Sequence, residues 1–228
     1  MTRRFIVTNL ALSAALVLAL GTAPAIMAGE EESMTSKVFG SIDIAPGDHT
    51  GDVSTVNGSV HIGANAVVGN AHAVNGSVHL DARASATGLE TVNGSVNVEE
   101  HGHVTGDVSS VNGTLRIENG ADVSGDVHNV NGAIHVAAAR VGGSIRTTAG
   151  GIELGPDAHI DGGVVIEEDS GTHFGEQHIP RVVIAPGTVV KGSLRFERKV
   201  VLYVSDRATI GPVKGAEVLK FSGAQPPG

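Results

Sequence analysis

Two histidines eighteen residues apart, His61 and His79, occupy equivalent places in the near-identical stretches V-H-I and V-H-L. On a rod whose coils repeat with that period, the two imidazoles would face outward about 4.8 Å apart. That separation lets them share one Zn²⁺ or Cu²⁺. The same column then runs Asn97, Arg116, His135, which does not extend a metal site. The chain holds eleven His but no Cys, and no H-E-x-x-H spacing supports the pair. The column therefore reads as solvated polar surface, with no metal and no other cofactor expected.

Carboxylates give a second route to chemistry. Glu90, Asp107, Asp126 and Glu153 all point outward, but they are scattered over columns, so no paired acid and base is seen. Residues 167–180 (E-E-D-S-G-T-H-F-G-E-Q-H-I-P) gather Glu168, Asp169, His173, Glu176 and His178 and read as a polar insertion. Without a G-x-S-x-G context the Ser, His and Asp residues form no hydrolase signature. No catalytic residue is assigned, and the chain is expected not to be an enzyme.

What must position these side chains is a repeat. V-N-G-S-V recurs at Val56, Val74 and Val92, with variants at Val111 and Val130, in steps of 18, 18, 19 and 19 residues. Looser copies begin at Val38 and Thr148. A fixed short period marks a solenoid, whose units bury their apolar faces only by stacking. Aligning the copies separates inside from outside. Val53, Ala71, Leu89, Val108, Val127 and Ile145 are apolar, and each is followed by a polar neighbour. Pairs such as Val60 and Ile62, Val78 and Leu80, or Leu115 and Ile117 flank one polar residue, the alternation of a half-buried strand. A third apolar site is expected near Val67, Val104, Val123, Val141 and Ile160. Three short strands per repeat give a single-stranded β-helix, all-β and triangular, of about ten coils and near 48 Å long.

The Asn-Gly pairs are assigned to that architecture. Asn57, Asn75, Asn93, Asn112 and Asn131 form a column whose amides hydrogen-bond from coil to coil, and Gly58, Gly76, Gly94, Gly113 and Gly132 are expected to supply turns at positive φ. The residues before each repeat Val are Thr55, Ala73, Thr91, Ser110, Asn129 and Thr147. They are too irregular to serve as an ice-binding array.

Composition agrees. The 228 residues include 32 Gly, no Trp and one Tyr, so the aromatic supply of an ordinary globular core is missing. Residues 1–28 read as a secretory signal, with Arg3 and Arg4 ahead of the apolar run Leu10 to Leu20 and cleavage after Ala28 or Ala25. The run is short for a membrane span, so the mature chain is expected to have none and to lie in the periplasm or at the cell surface. An acidic linker, 29–35, leads into a solenoid over 36–216, interrupted at 167–180 and followed by a tail, 217–228. Removing Arg3 and Arg4 turns the net charge of −9 into −11, which excludes nucleic acid as partner. Residues 181–228 carry eight Lys or Arg against three acids. An acidic body with a basic end suits head-to-tail self-association.

The units G-D-V-S-T-V-N-G-S-V at 51–60 and G-D-V-S-S-V-N-G-T-L at 106–115 resemble those of bactofilins, the polymer-forming bacterial cytoskeletal proteins. They are also similar to adhesin-like domains of bacterial envelope proteins. The resemblance covers residues 36–166 and reaches more loosely to Val213. It implies a right-handed β-helix and, for bactofilins, end-to-end filaments formed without nucleotide. The export signal departs from the bactofilin pattern. The expected function is therefore an exported structural or scaffold element of the bacterial envelope that assembles end to end. The alternative is a monomeric adhesin-like rod binding a glycan or an envelope protein on a side face.

Overall fold

The repeat becomes three columns of parallel strands. The computed structural model describes residues 34–168 and 179–227, and the described residues contain no helix. The segment read as a signal and most of the acidic linker, like residues 169–178 of the insertion, lie outside them.

The first column holds the residues leading into each Asn-Gly pair, from Thr35–Phe39 to Val213–Lys214. The second is a sheet of ten strands from Ile42–Ile44 to Val218–Phe221, one per coil. The third, from His49–Thr50 to Thr209–Ile210, joins the first into one 17-stranded sheet. The join occurs where Val67–Asn75 and Ser85–Asn93 each run through as single nine-residue strands. Every pairing is parallel and in register with the repeat, as in Val60↔Val78↔Val96↔Leu115.

Side-chain alternation fixes that register, because a slip of one residue would turn each buried face to solvent. Ile62, Leu80, Leu115, Ile134, Ile152 and Ile184 are fully buried, and the core is one continuous stack of Val, Ile, Leu and Ala. One position is shifted from the expected alternation. Val67 points outward, 39% exposed, and Val68 takes the inward place beside Ala86.

Glycine plays a different part from the one expected of it. Of the five glycines in the Asn-Gly column, only Gly132 has positive φ, at 130°. The reason for the column is crowding. A Cβ on Gly58, Gly76, Gly94, Gly113 or Gly132 would strike the carbonyl oxygen of the equivalent glycine one coil earlier. Left-handed backbone occurs instead after the second column, at Gly47, Asn65, Arg83, His101, Gly120, Asp157 and Gly187. There Asp48, Ala66, Ala84 and Gly102 each donate their N–H to the carbonyl three residues back. Pro46, Pro156 and Pro186 precede three of these residues. Proline followed by a positive-φ residue is the pattern of a type II turn.

The array also extends further than the sequence reading placed it. Val218–Phe221 pairs with Val201–Ser205 within the expected tail, and Phe221 is buried. Beyond it, Arg181 Nη2 reaches the Pro227 carbonyl at 3.5 Å, laying the last residues against the second sheet. The insertion lies within one coil, since thirty residues separate Ile152 from its partner Val182.

Candidate functional site

The His61 and His79 rings stand edge to face with centroids 6.0 Å apart. His61 Nε2 lies 2.9 Å from Asp81 Oδ2, so it already has a carboxylate partner. Further along the column Asn97 donates to Glu99 Oε1 at 2.8 Å, and His135 Nδ1 pairs with Glu153 Oε2 at 3.1 Å. Among the described residues no group of three His, Cys, Asp or Glu is arranged to hold a metal ion.

The scattered acids each hold one coil to the next. Asp107 Oδ1 accepts the Asp126 N–H, and Asp126 Oδ1 accepts the Ser144 N–H, both at 2.7 Å. Asp126 also pairs with Arg146. Glu90 faces His72 across adjacent coils at 3.5 Å, and hydrogen bonding from His72 holds its carboxyl below the ordinary value despite partial burial. Asp161 takes Lys191 at 2.6 Å and Arg140 at 2.5 Å. Hydrogen bonds from these two cations lower its pKa, and Arg140 is raised in return, chiefly by Asp161. No two of these carboxylates converge on a cleft. Of the residues in the insertion, Glu168 is placed just past the strand Val164–Ile166, where its N–H donates to Glu197 Oε2 at 3.3 Å. Asp169, His173, Glu176 and His178 fall outside the described residues.

The five asparagines stand in one line. The Nδ2 groups of Asn75, Asn93, Asn112 and Asn131 donate to Asn57, Asn75, Asn93 and Asn112 Oδ1 respectively, each at 3.0 Å. A second polar column, not anticipated as a bonded element, runs inside. Thr55, Thr91, Ser110, Asn129 and Thr147 are buried, so these residues cannot make an outer ice-binding face. Thr55, Thr91 and Ser110 hydroxyls and the Asn129 amide donate to the carbonyls of Gly40, Gly76, Gly94 and Gly113, at 2.7–3.0 Å. Small polar residues at a core position were the available signal, since a buried polar group needs a partner.

A shallow groove of 440 Å³ lies on the second sheet, where His135, Glu153, Arg181 and Val183 meet Gln225 and Pro226. Arg181 also stacks on the Tyr203 ring at 5.0 Å.

The two terminal coils depart from the pattern. Lys37 pairs with Thr55 and so occupies the inward polar column. Lys220 pairs with Val204 and so occupies an inward apolar column. Both are exposed because no further coil lies over them among the described residues. Lys37 Nζ donates to the Ser41 carbonyl at 2.7 Å.

No protein-family model, curated protein or solved structure matches this chain. Fold and surface define a class, the parallel β-solenoid of about ten coils. Among the described residues no helix is long and apolar enough to cross a membrane.

Proposed function

We propose that the protein is an exported, non-enzymatic structural element of the bacterial envelope, acting as a discrete rod that presents its side faces to a glycan or protein. The observation that carries this reading is the lysine in an inward column at each end, Lys37 and Lys220. Continuing the sheets into a second copy would bury both ammonium groups among core residues, at several kcal/mol each when unpaired. Charges aimed inward on a terminal strand are a recognised means of blocking edge-to-edge association.

Head-to-tail assembly is the second reading. It is favoured by the apolar side chains of Met34, Val38 and Phe39, which are 72%, 51% and 77% exposed at the first coil. Electron microscopy of the purified protein at low and high salt separates the two. Isolated rods near 48 Å at every salt support the first. Filaments that shorten at high salt, as screening predicts, support the second and overturn the first. The double variant Lys37→Thr, Lys220→Val is expected to associate end to end where the native chain does not.

A further inference from the structure

We infer that Asn131–Gly132 is a site of spontaneous deamidation, and that the stack protects the other Asn-Gly pairs. Asn-Gly is the dipeptide best suited to this reaction, because glycine leaves the following nitrogen unhindered. The Gly132 backbone nitrogen, on losing its proton, attacks Asn131 Cγ. An N–Cγ bond forms, the Cγ–Nδ2 bond breaks, and ammonia leaves. Water then opens the resulting succinimide at either carbonyl, giving aspartate or isoaspartate. Nothing is oxidised or reduced.

Two features of the fold oppose the attack at the other five pairs. At 57–58, 75–76, 93–94 and 112–113 the glycine N–H is committed to the asparagine carbonyl of the next coil, at 3.0–3.1 Å. Asn119–Gly120 is tied similarly, with the Gly120 N–H on the Ala138 carbonyl and Asn119 Oδ1 accepting from Ala138. Asn75, Asn93 and Asn112 are held further because each both donates and accepts in the side-chain ladder.

At Asn131 both restraints lapse. The next coil reads T-A-G-G at 148–151, which has no asparagine to continue the ladder. Strand pairing there stops at Asn129↔Thr147, whereas the preceding coil pairs as far as Asn112↔Asn131. Ala149 instead donates to the Val130 carbonyl at 2.9 Å, and no bond from the Gly132 N–H corresponds to those of its four counterparts. Asn131 is exposed, its amide keeps a single ladder bond, and Gly132 alone of the five glycines that follow a ladder asparagine has positive φ. Among the described residues the nucleophile has no hydrogen-bond partner, and the amide is bound on one side only. The product places a carboxylate at the end of the ladder and, as isoaspartate, adds a carbon to the main chain.

The test is peptide mapping by mass spectrometry after incubation of the full chain at mildly alkaline pH, with isoaspartate scored by enzymatic methylation. In folded protein Asn131 is expected to convert several-fold faster than Asn57, Asn75, Asn93, Asn112 or Asn119. In urea all six should converge on similar rates. Equal rates in the folded protein, or an Asn131 that stays intact while another site converts, would overturn the proposal. So would a folded protein in which no site converts faster than the rest. The variant Asn131→Gln, which keeps an amide in place, should remove most isoaspartate formed by the native fold.

Discussion

The middle of the stack and its ends are built from the same columns, yet one position demands different things in the two places. Gly76 lies so close to the Gly58 carbonyl that a Cβ could not be accommodated, whereas a Cβ on Gly40 would meet nothing within 4 Å. Thr55 and Thr91 are sealed inside, while Lys37 in the same column reaches water. A residue in a solenoid is constrained by the coil on each side of it, and a terminal coil has only one such neighbour. Composition at the ends is therefore free to differ from that of the middle.

The largest expected effect follows from crowding. Gly94→Ala would drive a methyl group into the Gly76 carbonyl, a main-chain group that also accepts the Thr91 hydroxyl. A loss of about 3 kcal/mol or more is expected. Gly40→Ala meets no neighbour and pays only for its φ of 96°, about 1–2 kcal/mol. Chemical denaturation of the two variants checks this, and equal losses would show that φ and not packing governs the column.

The asparagine ladder gives a smaller contrast. Asn93→Leu removes two side-chain bonds, and Asn57→Leu removes one. With water competing at this exposed face, the losses should be about 2 and 1 kcal/mol. Unchanged melting of Asn93→Leu would take the ladder out of the account of stability.

How much of this could be read from the sequence depended on whether neighbouring coils entered the argument. Strand positions such as Val60 and Ile62 were legible because alternation within one coil suffices to place them. The asparagine column was legible because identical residues at one period must stack. The reason for glycine was not, since crowding between coils and positive φ within a coil select the same residue. The true left-handed turns were hidden in part because Arg83 occupies one of them, a residue outside the Gly, Asn, Asp and His set that favours such backbone. Proline at 46, 156 and 186 was the better clue. The inward lysines escaped notice because the outermost repeats are degenerate, and only strand register shows that Lys37 and Lys220 take inward positions.

A third contrast concerns the coil that carries the insertion. Asp161 precedes it and Lys191 follows it, and with Arg140 and Asp122 they form a chain of ion pairs across successive coils. The Asp161 pKa is lowered in the fold. Its contribution is therefore complete above the ordinary aspartate value near 3.9 and is lost as pH falls through the lowered one. Asp161→Asn should flatten the acid limb of the melting curve in this range. A Glu90→Gln variant should do so less, because Glu90 has one partner and Asp161 has two. Identical acid limbs in Asp161→Asn and the native chain would remove this chain of pairs as a staple.

The smallest effect tests the inner polar column at its one gap. Thr55 and Thr91 flank Ala73, which is buried and has no hydroxyl to offer the Gly58 carbonyl. Thr91 makes the equivalent bond to Gly76 at 2.7 Å. Ala73→Ser adds a donor and little volume in the same geometry, so a gain of about 0.5–1 kcal/mol is expected. The alternative outcome is equally informative, because a buried hydroxyl without a partner costs about 1–3 kcal/mol. A loss of that size would mean that the Gly58 carbonyl is already satisfied or out of reach, and that the alanine is there because the neighbouring strands Val53–Asn57 and Ser85–Asn93 close the space a hydroxyl needs.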